Sequence, residues 1–316
     1  MSTHKWTADD IPDQRGRVVI ITGATSGLGK EAARVLAGKG ARVVMAVRDV
    51  AKGACVAREI GATLAGAEVD VMKLDLASLA SVRAFAADFA AARERLDVLI
   101  NNAGVMMCPY AKTEDGFEIQ MGTNHLGHFA LTGRLLPLLR ATPGSRVVAT
   151  SSFGHAMGDI DFSDVNWERR PYNTNRAYGD SKLANLYFTY EFARRYRDDP
   201  DAPTAVAAHP GATVTELARH TPWIRLFNRF VAQKVEIGAL PTLMAATAPG
   251  VRAGDYYGPE GPFGVRGYPT KVESNARSHD VALAERLWAL SEEMTGVEFA
   301  RTRGGSDSGE RQEMTA

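Results

Sequence analysis

Cysteine is nearly absent. The chain of 316 residues has two, Cys55 and Cys108. That is too few for a disulfide framework or a four-cysteine zinc site, and it fits a reducing compartment. Net charge is missing as well, because 37 Lys and Arg residues balance 37 Asp and Glu residues. General nucleic-acid binders carry a basic surplus, so no nucleic-acid partner is expected. Long apolar runs are lacking too. The first, Val18 to Ile21, has four residues, against the ~18–20 that span a bilayer. The opening MSTHKWTADDIPDQRGR is polar and leads into no signal segment. No transmembrane segment and a cytoplasmic setting are therefore expected. The sequence also shows no fixed-period repeat and no Ser/Gly/Pro linker dividing it.

What is present is alternation. Residues 18–22, VVIIT, form a β-branched run ending in glycine, and GKEAARVLAGKG follows with helical apolar spacing. ARVVMAV reads as a second strand. Further strands are predicted at Glu68–Leu74, Leu96–Asn101, Ser145–Ser151 and Thr204–His209. Helices are predicted at Ser78–Arg95, Thr123–Leu139, Ala177–Tyr196 and Gly238–Ala248. This rhythm predicts an α/β fold: a single Rossmann-type doubly wound parallel sheet with helices on both faces. The domain is expected over 16–300, after an N-terminal extension 1–15, with a larger excursion at about 212–236. Residues 280–294 suggest an amphipathic helix in which Trp288 packs. Residues 303–316 lack a packable pattern and are expected to be disordered.

The first strand runs into Thr22-Gly23-Ala24-Thr25-Ser26-Gly27-Leu28-Gly29 and then a helix. Glycines let backbone N–H groups come close to a pyrophosphate, and a helix N-terminus attracts it. The second strand ends in Val47-Arg48-Asp49. An acidic residue at this point would select NAD; Arg48 instead suits a 2′-phosphate and favours NADP over NAD. Asp49 would oppose that choice if it pointed inward.

Tyr178 and Lys182 lie four apart, on one helical face. A neighbouring ammonium and a bound nicotinamide would favour the phenolate. Lowering the phenol's pKa by ~2–3 units takes roughly 3–4 kcal/mol. Tyr178 could then exchange a proton with a substrate oxygen. Ser151 and Ser152 close the fifth strand, where hydroxyls face the ligand crevice of such sheets. His125 and His128 lie three apart, but no third ligand has suitable spacing, so no metal is expected.

These motifs, with Asn101-Asn102-Ala103-Gly104 after the fourth strand, resemble the short-chain dehydrogenase/reductase family. The longer gap from Ser152 to Tyr178, with a polar insert at His155 to Arg176, resembles the branch of retinol dehydrogenases and their bacterial relatives. The resemblance spans about residues 6–299. It implies a catalytic tetrad of Asn124, Ser152, Tyr178 and Lys182. It also implies cofactor contacts from Gly23, Thr25, Ser26, Gly27, Leu28, Gly29, Arg48, Asp75, Leu76, Asn102, Ala103, Gly104, Tyr178, Lys182, Pro210, Gly211 and Thr215, with Thr213 as the fallback for Thr215. Asp75 and Leu76 would border the adenine; alternatively Asp75 caps the helix near Ser78. Asn102 reads as a tie between strands, and Asn124 as part of a proton relay or as a helix cap.

The implied activity is NADP(H)-dependent hydride transfer to or from a carbonyl/alcohol carbon of a small or lipophilic substrate. Rival readings are a non-catalytic NADP(H)-sensing regulator on the same fold, and a scaffold that binds no dinucleotide. Trp223, Leu226, Phe227, Phe230 and Val231 form an apolar stripe opposite Arg225, Arg229 and Lys234. It reads as a substrate lid, a membrane-surface helix or a packed helix. A homo-oligomer stays open, since family members often pair through the helices carrying Asn124 and Tyr178.

Overall fold

The computed structural model describes residues 5–213 and 233–299. Along β1 (Val18–Thr22) successive side chains point to opposite faces. Val19 and Ile21 enter one hydrophobic layer, and Val18 and Ile20 enter the other. The same double burial holds for β2 (Arg42–Val47), β4 (Val98–Asn101), β5 (Arg146–Thr150) and β6 (Thr204–Ala208). Strands buried on both faces read as continuous apolar runs, and this is why the run pattern marked them.

With β3 (Glu68–Lys73), β7 (Tyr256–Pro259) and β8 (Pro269–Lys271), the strands form one sheet in the order β3-β2-β1-β4-β5-β6-β7-β8. All pairs are parallel except β7 with β8. That antiparallel edge departs from the all-parallel expectation. Its two short strands, one opening and one closing with proline, carry no apolar run. The order reverses between β1 and β4, and a crevice opens at the carboxyl ends of such strands.

On one face lie α1 (Gly27–Gly38), α2 (Val50–Thr63), α7 (Val235–Gly238) and α8 (Leu240–Thr247). On the other lie α3 (Leu79–Ala92), α5 (Gly127–Arg140), α6 (Thr174–Arg195) and α9 (Val281–Thr295). The helix expected over Thr123–Leu139 starts earlier, with α4 (Ile119–Met121), and continues through a π-helical turn (Gly122–Leu126) into α5. The N-terminal residues join the core, with Trp6 and Ile11 packed over the first layer.

Trp288 on α9 is buried, stacked on Phe188 at 5.7 Å and edge-on to Phe129 at 5.2 Å. α9 thus covers the outer faces of α5 and α6.

Candidate active site

A cavity of about 500 Å³ opens at the strand ends around the β1/β4 reversal. Its floor begins with the loop after β1, where Gly23, Thr25, Ser26, Gly27, Leu28 and Gly29 all line it. Gly23 has φ +69°, and a Cβ there would stand 2.9 Å from Ala103 Cα. Only glycine gives this turn and this close passage without strain. Ser26 takes the cap position of α1 but makes no side-chain cap hydrogen bond, so the first amides of α1 are not capped by it. Such amides and the helix dipole suit an anion.

Thr22 organises the floor. Its hydroxyl accepts from Asn102 N and Ala103 N, each at 2.9 Å, and faces His128 Nε2 at 2.9 Å. His128 Nδ1 lies 3.0 Å from the Asn124 carbonyl. That carbonyl can only accept, so His128 donates from Nδ1 and accepts from Thr22 at Nε2. Burial holds this ring neutral, with its pKa down to about 4. His125 turns elsewhere, to Ser291 at 2.9 Å. Asn102 donates from Nδ2 to Thr22 O at 2.8 Å and so ties β1 to β4, as its motif suggests.

Arg48, Asp75 and Leu76 border the same cavity. Asp49 lines it as well, and its carboxylate accepts from Lys52 N at 2.9 Å and caps α2. Asp75 is not the cap of α3. Ser78 is, accepting from Ser81 N, while Asp75 Oδ1 accepts from Ala77 N at 3.0 Å. The short Asp75–Ser78 turn brought two candidate caps together, and the one nearer the helix took the role.

Beyond Gly104, Asn124 lies wholly buried in the π-helical turn. It is neither a helix cap nor part of the cavity lining. Its Oδ1 accepts from Val105 N at 2.8 Å, and its Nδ2 donates to Val105 O and Ser181 Oγ, each at 2.9 Å. Asn124 therefore fixes the strand exit against α6.

Ser152, Tyr178 and Lys182 converge on the cavity. Gly179 lets α6 approach the insert: a Cβ there would meet Gly158 N at 2.8 Å. Burial pushes the Tyr178 hydroxyl above its ordinary value, and a hydrogen bond with Ser152 pulls it back. The lowering expected from Lys182 is not found in the protein alone, where burial dominates and only Ser152 pulls the other way. Lys182 Nζ lies 5.8 Å from the Tyr178 ring centroid and donates to Thr150 O at 3.1 Å. Burial brings Lys182 down to about 8. Ser151 is spent on structure, donating to Lys182 O at 2.9 Å.

Pro210, Gly211 and Thr213 close the cavity beyond β6. Thr213 Oγ1 donates to Pro210 O at 2.9 Å, and Thr213 pairs with Gln233. Thr215, the stripe from Trp223 to Val231 and the tail 303–316 lie outside the described residues. The sequence reading missed Lys52, Thr123 and Thr150 on the cavity wall. The hydroxyls of Thr123 and Thr150 are buried without a hydrogen-bond partner. Lys52 could have been found one helical turn past Arg48; nothing local marks the two threonines.

A family model described as short chain dehydrogenase matches residues 17–222. Human retinol dehydrogenase 12 is 46% identical over 290 residues, covering 90% of this chain and 88% of its own. A crystal structure of an uncharacterized protein from Mycobacterium paratuberculosis superposes with a TM-score of 0.80 at 45% identity, over 94% of this chain and 100% of that one. A Pseudomonas aeruginosa RhlG/NADP active-site complex matches with a TM-score of 0.62 at 25% identity, over 77% of this chain and 94% of its own. The chain belongs to the short-chain dehydrogenase family, in a branch resembling the retinol dehydrogenases.

Proposed function

We propose that this short-chain dehydrogenase is an NADP(H)-dependent oxidoreductase acting on a carbonyl/alcohol carbon of a small or lipophilic substrate. The carrying observation is that Ser152, Tyr178 and Lys182 share one cavity with the glycine loop and Arg48. The residues present fit a dinucleotide. The α1 N-terminus offers amides that Ser26 leaves uncapped, and the partnerless hydroxyls of Thr123 and Thr150 offer hydrogen bonds inside the cavity. Arg48 and Lys52 bring two positive charges to the end of β2 against the one negative charge of Asp49, whose carboxylate is engaged as the cap of α2. That arrangement favours a 2′-phosphate over a bare ribose. The Pseudomonas aeruginosa relative of this fold was solved as an NADP complex.

When bound, the nicotinamide supplies or takes the hydride. The chain's own residues manage the proton. Burial keeps Tyr178 protonated at neutral pH, so it stands ready as an acid toward a carbonyl oxygen. Ser152 Oγ accepts from Gly154 N at 3.0 Å, so its single hydrogen is free to turn from the Tyr178 hydroxyl to the same oxygen. Lys182 places a buried charge beside the phenol and, with Thr150 and Asn185, is held by the end of β5. Asn124 keeps the wall behind them in place.

The human relative's name refers to retinol, so lipophilic aldehydes belong with small ones in a test panel. The proposed setting is cytoplasmic, in keeping with two unpaired cysteines. No helix among the described residues is long and apolar enough to cross a membrane. A homo-oligomer remains part of the proposal, and sedimentation against the 34.1 kDa of one chain would read it.

The test is oxidation of NADPH and NADH against a panel of aldehydes and ketones. The expected preference for NADPH is about tenfold or more in kcat/KM, and Arg48→Ala should remove about tenfold of it. Equal use of the two cofactors by the unaltered protein would end the assignment to Arg48. Tight NADPH binding with no turnover on any carbonyl would favour the sensing regulator instead.

A further inference from the structure

Met107 has a left-handed backbone, at φ 47°, and is one of three such non-glycine residues among those described. It lines the cavity next to Met106, on the wall it shares with Tyr178 and Ser152. A bulky side chain in this region of backbone space persists only where its surroundings impose it. What imposes it is Gln120. Gln120 Oε1 accepts from Met107 N at 2.8 Å.

The amide cannot be reversed. Met107 N–H only donates, while Gln120 Nε2 donates to the Thr174 carbonyl, which only accepts, at 3.0 Å. Nε2 also donates to the Tyr172 hydroxyl at 2.8 Å, and that hydroxyl donates to Glu118 Oε1 at 2.8 Å. Glu118 is fully buried and anchors its own turn, accepting from Gln120 N and Met121 N. Burial raises its pKa. Gln120 and Asn124 lie four apart on the run from α4 into the π-helical turn. They hold Met107 and Val105 respectively, two residues apart on the segment beyond Gly104.

We propose that Gln120, locked by Tyr172 and Glu118, is a specificity-determining positioning residue that shapes the Met106–Met107 wall for the apolar part of the substrate. This rests on the oxidoreductase reading for its substrate and on geometry alone for the grip. Methionine suits such a wall because its unbranched, polarizable side chain adapts to varied apolar shapes. Tyr172 and Thr174 come from the end of the long insert and the start of α6. The insert therefore reaches the cavity in two ways, lining it through Met157 and holding the Met107 segment through hydrogen bonds.

The full chain carrying Gln120→Leu or Tyr172→Phe tests this against aldehydes from butanal to dodecanal, with hydrogen exchange at the Met107 amide as an independent readout. Gln120→Leu is expected to remove protection of that amide. It should raise KM for dodecanal about tenfold while kcat, KM for butanal and the NADPH Kd stay within about twofold. Tyr172→Phe should shift the same KM ratio in the same direction by a smaller factor. An unchanged KM ratio despite lost protection overturns the specificity role; retained protection overturns the grip. If Gln120→Leu fails to fold, an unchanged ratio in Tyr172→Phe overturns the proposal. Should the unaltered protein reduce no carbonyl, the oxidoreductase reading falls, while the exchange measurement still decides the grip.

Discussion

Between Thr22 and Gly29 the cavity wall is made of backbone: a left-handed Gly23 against Ala103 and a helix start whose amides Ser26 leaves free. The segment from Val105 to Cys108 is held instead by side chains that reach over from other elements, Asn124, Gln120 and Thr174. The first wall is specified by what is missing, the side chains glycine lacks. The second is specified by side chains far away in sequence. A dinucleotide is the same for every relative and can be met by fixed backbone. A substrate varies, and a wall hung on a few side chains can be re-aimed by changing them.

Breaking the chemistry without breaking either wall should give the largest effect. Tyr178→Phe keeps the ring and its packing but removes the exchangeable proton. The expected loss in kcat is about a thousandfold, near 4 kcal/mol of barrier, with NADPH affinity unchanged. Single-turnover kinetics would read it. A variant retaining more than about a tenth of the activity would show that another group supplies the proton.

Lys182→Met should produce the next effect, and in an unexpected sense. The lysine titrates at 10.5 when unperturbed and at about 8 in the fold. Between those values the unfolded chain binds more protons, so stability rises with pH there. Below about 8 the fold carries the full penalty of a buried cation, about 3 kcal/mol. Methionine removes the charge at similar length, and the Thr150 carbonyl keeps its hydrogen bond from Asn185 at 2.9 Å. The variant is expected to be inactive yet more stable near neutrality, with the advantage fading as pH climbs toward 10.5. Denaturant melts at several pH values would check this, and a variant less stable at neutral pH would refute it.

The two walls also differ in how much of them the sequence showed. The glycine loop and the one-turn spacing of Tyr178 and Lys182 were legible because each is a local pattern with a local cause, whereas the Asn102 tie, to a residue 80 positions away, was legible only through its motif. Ser151 and Ser152 were legible as a pair, and the structure separates them, Ser151 bonding to the α6 backbone. Gln120 gave no signal: its partners lie 13, 52 and 54 positions away. The π-helical turn was hidden because its residues continue a helical pattern on both sides. For Asp75 the sequence left two readings open, and hydrogen-bond geometry removes the capping one, because Ser78 takes that role, while Asp75 lines the cavity.

Gly23→Ala probes the backbone wall with the smallest change available, one methyl group. Two costs and one gain compete. A left-handed alanine costs roughly 1–2 kcal/mol, and the new Cβ, 2.9 Å from Ala103 Cα, forces the loop and the β4 exit apart. Against that, restricting the unfolded chain returns about 0.4–1 kcal/mol. The balance is a net loss of about 2 kcal/mol, a fall of a few degrees in Tm. Because the shift moves the very amides that would meet the pyrophosphate, NADPH affinity should fall by about tenfold or more. kcat at saturating cofactor should stay near that of the unaltered chain, since Ser152 and Tyr178 hang on β5 and α6 rather than on this loop. Equal losses in affinity and kcat would mean that the two walls move together, and that fixed backbone and borrowed side chains are one cooperative unit here.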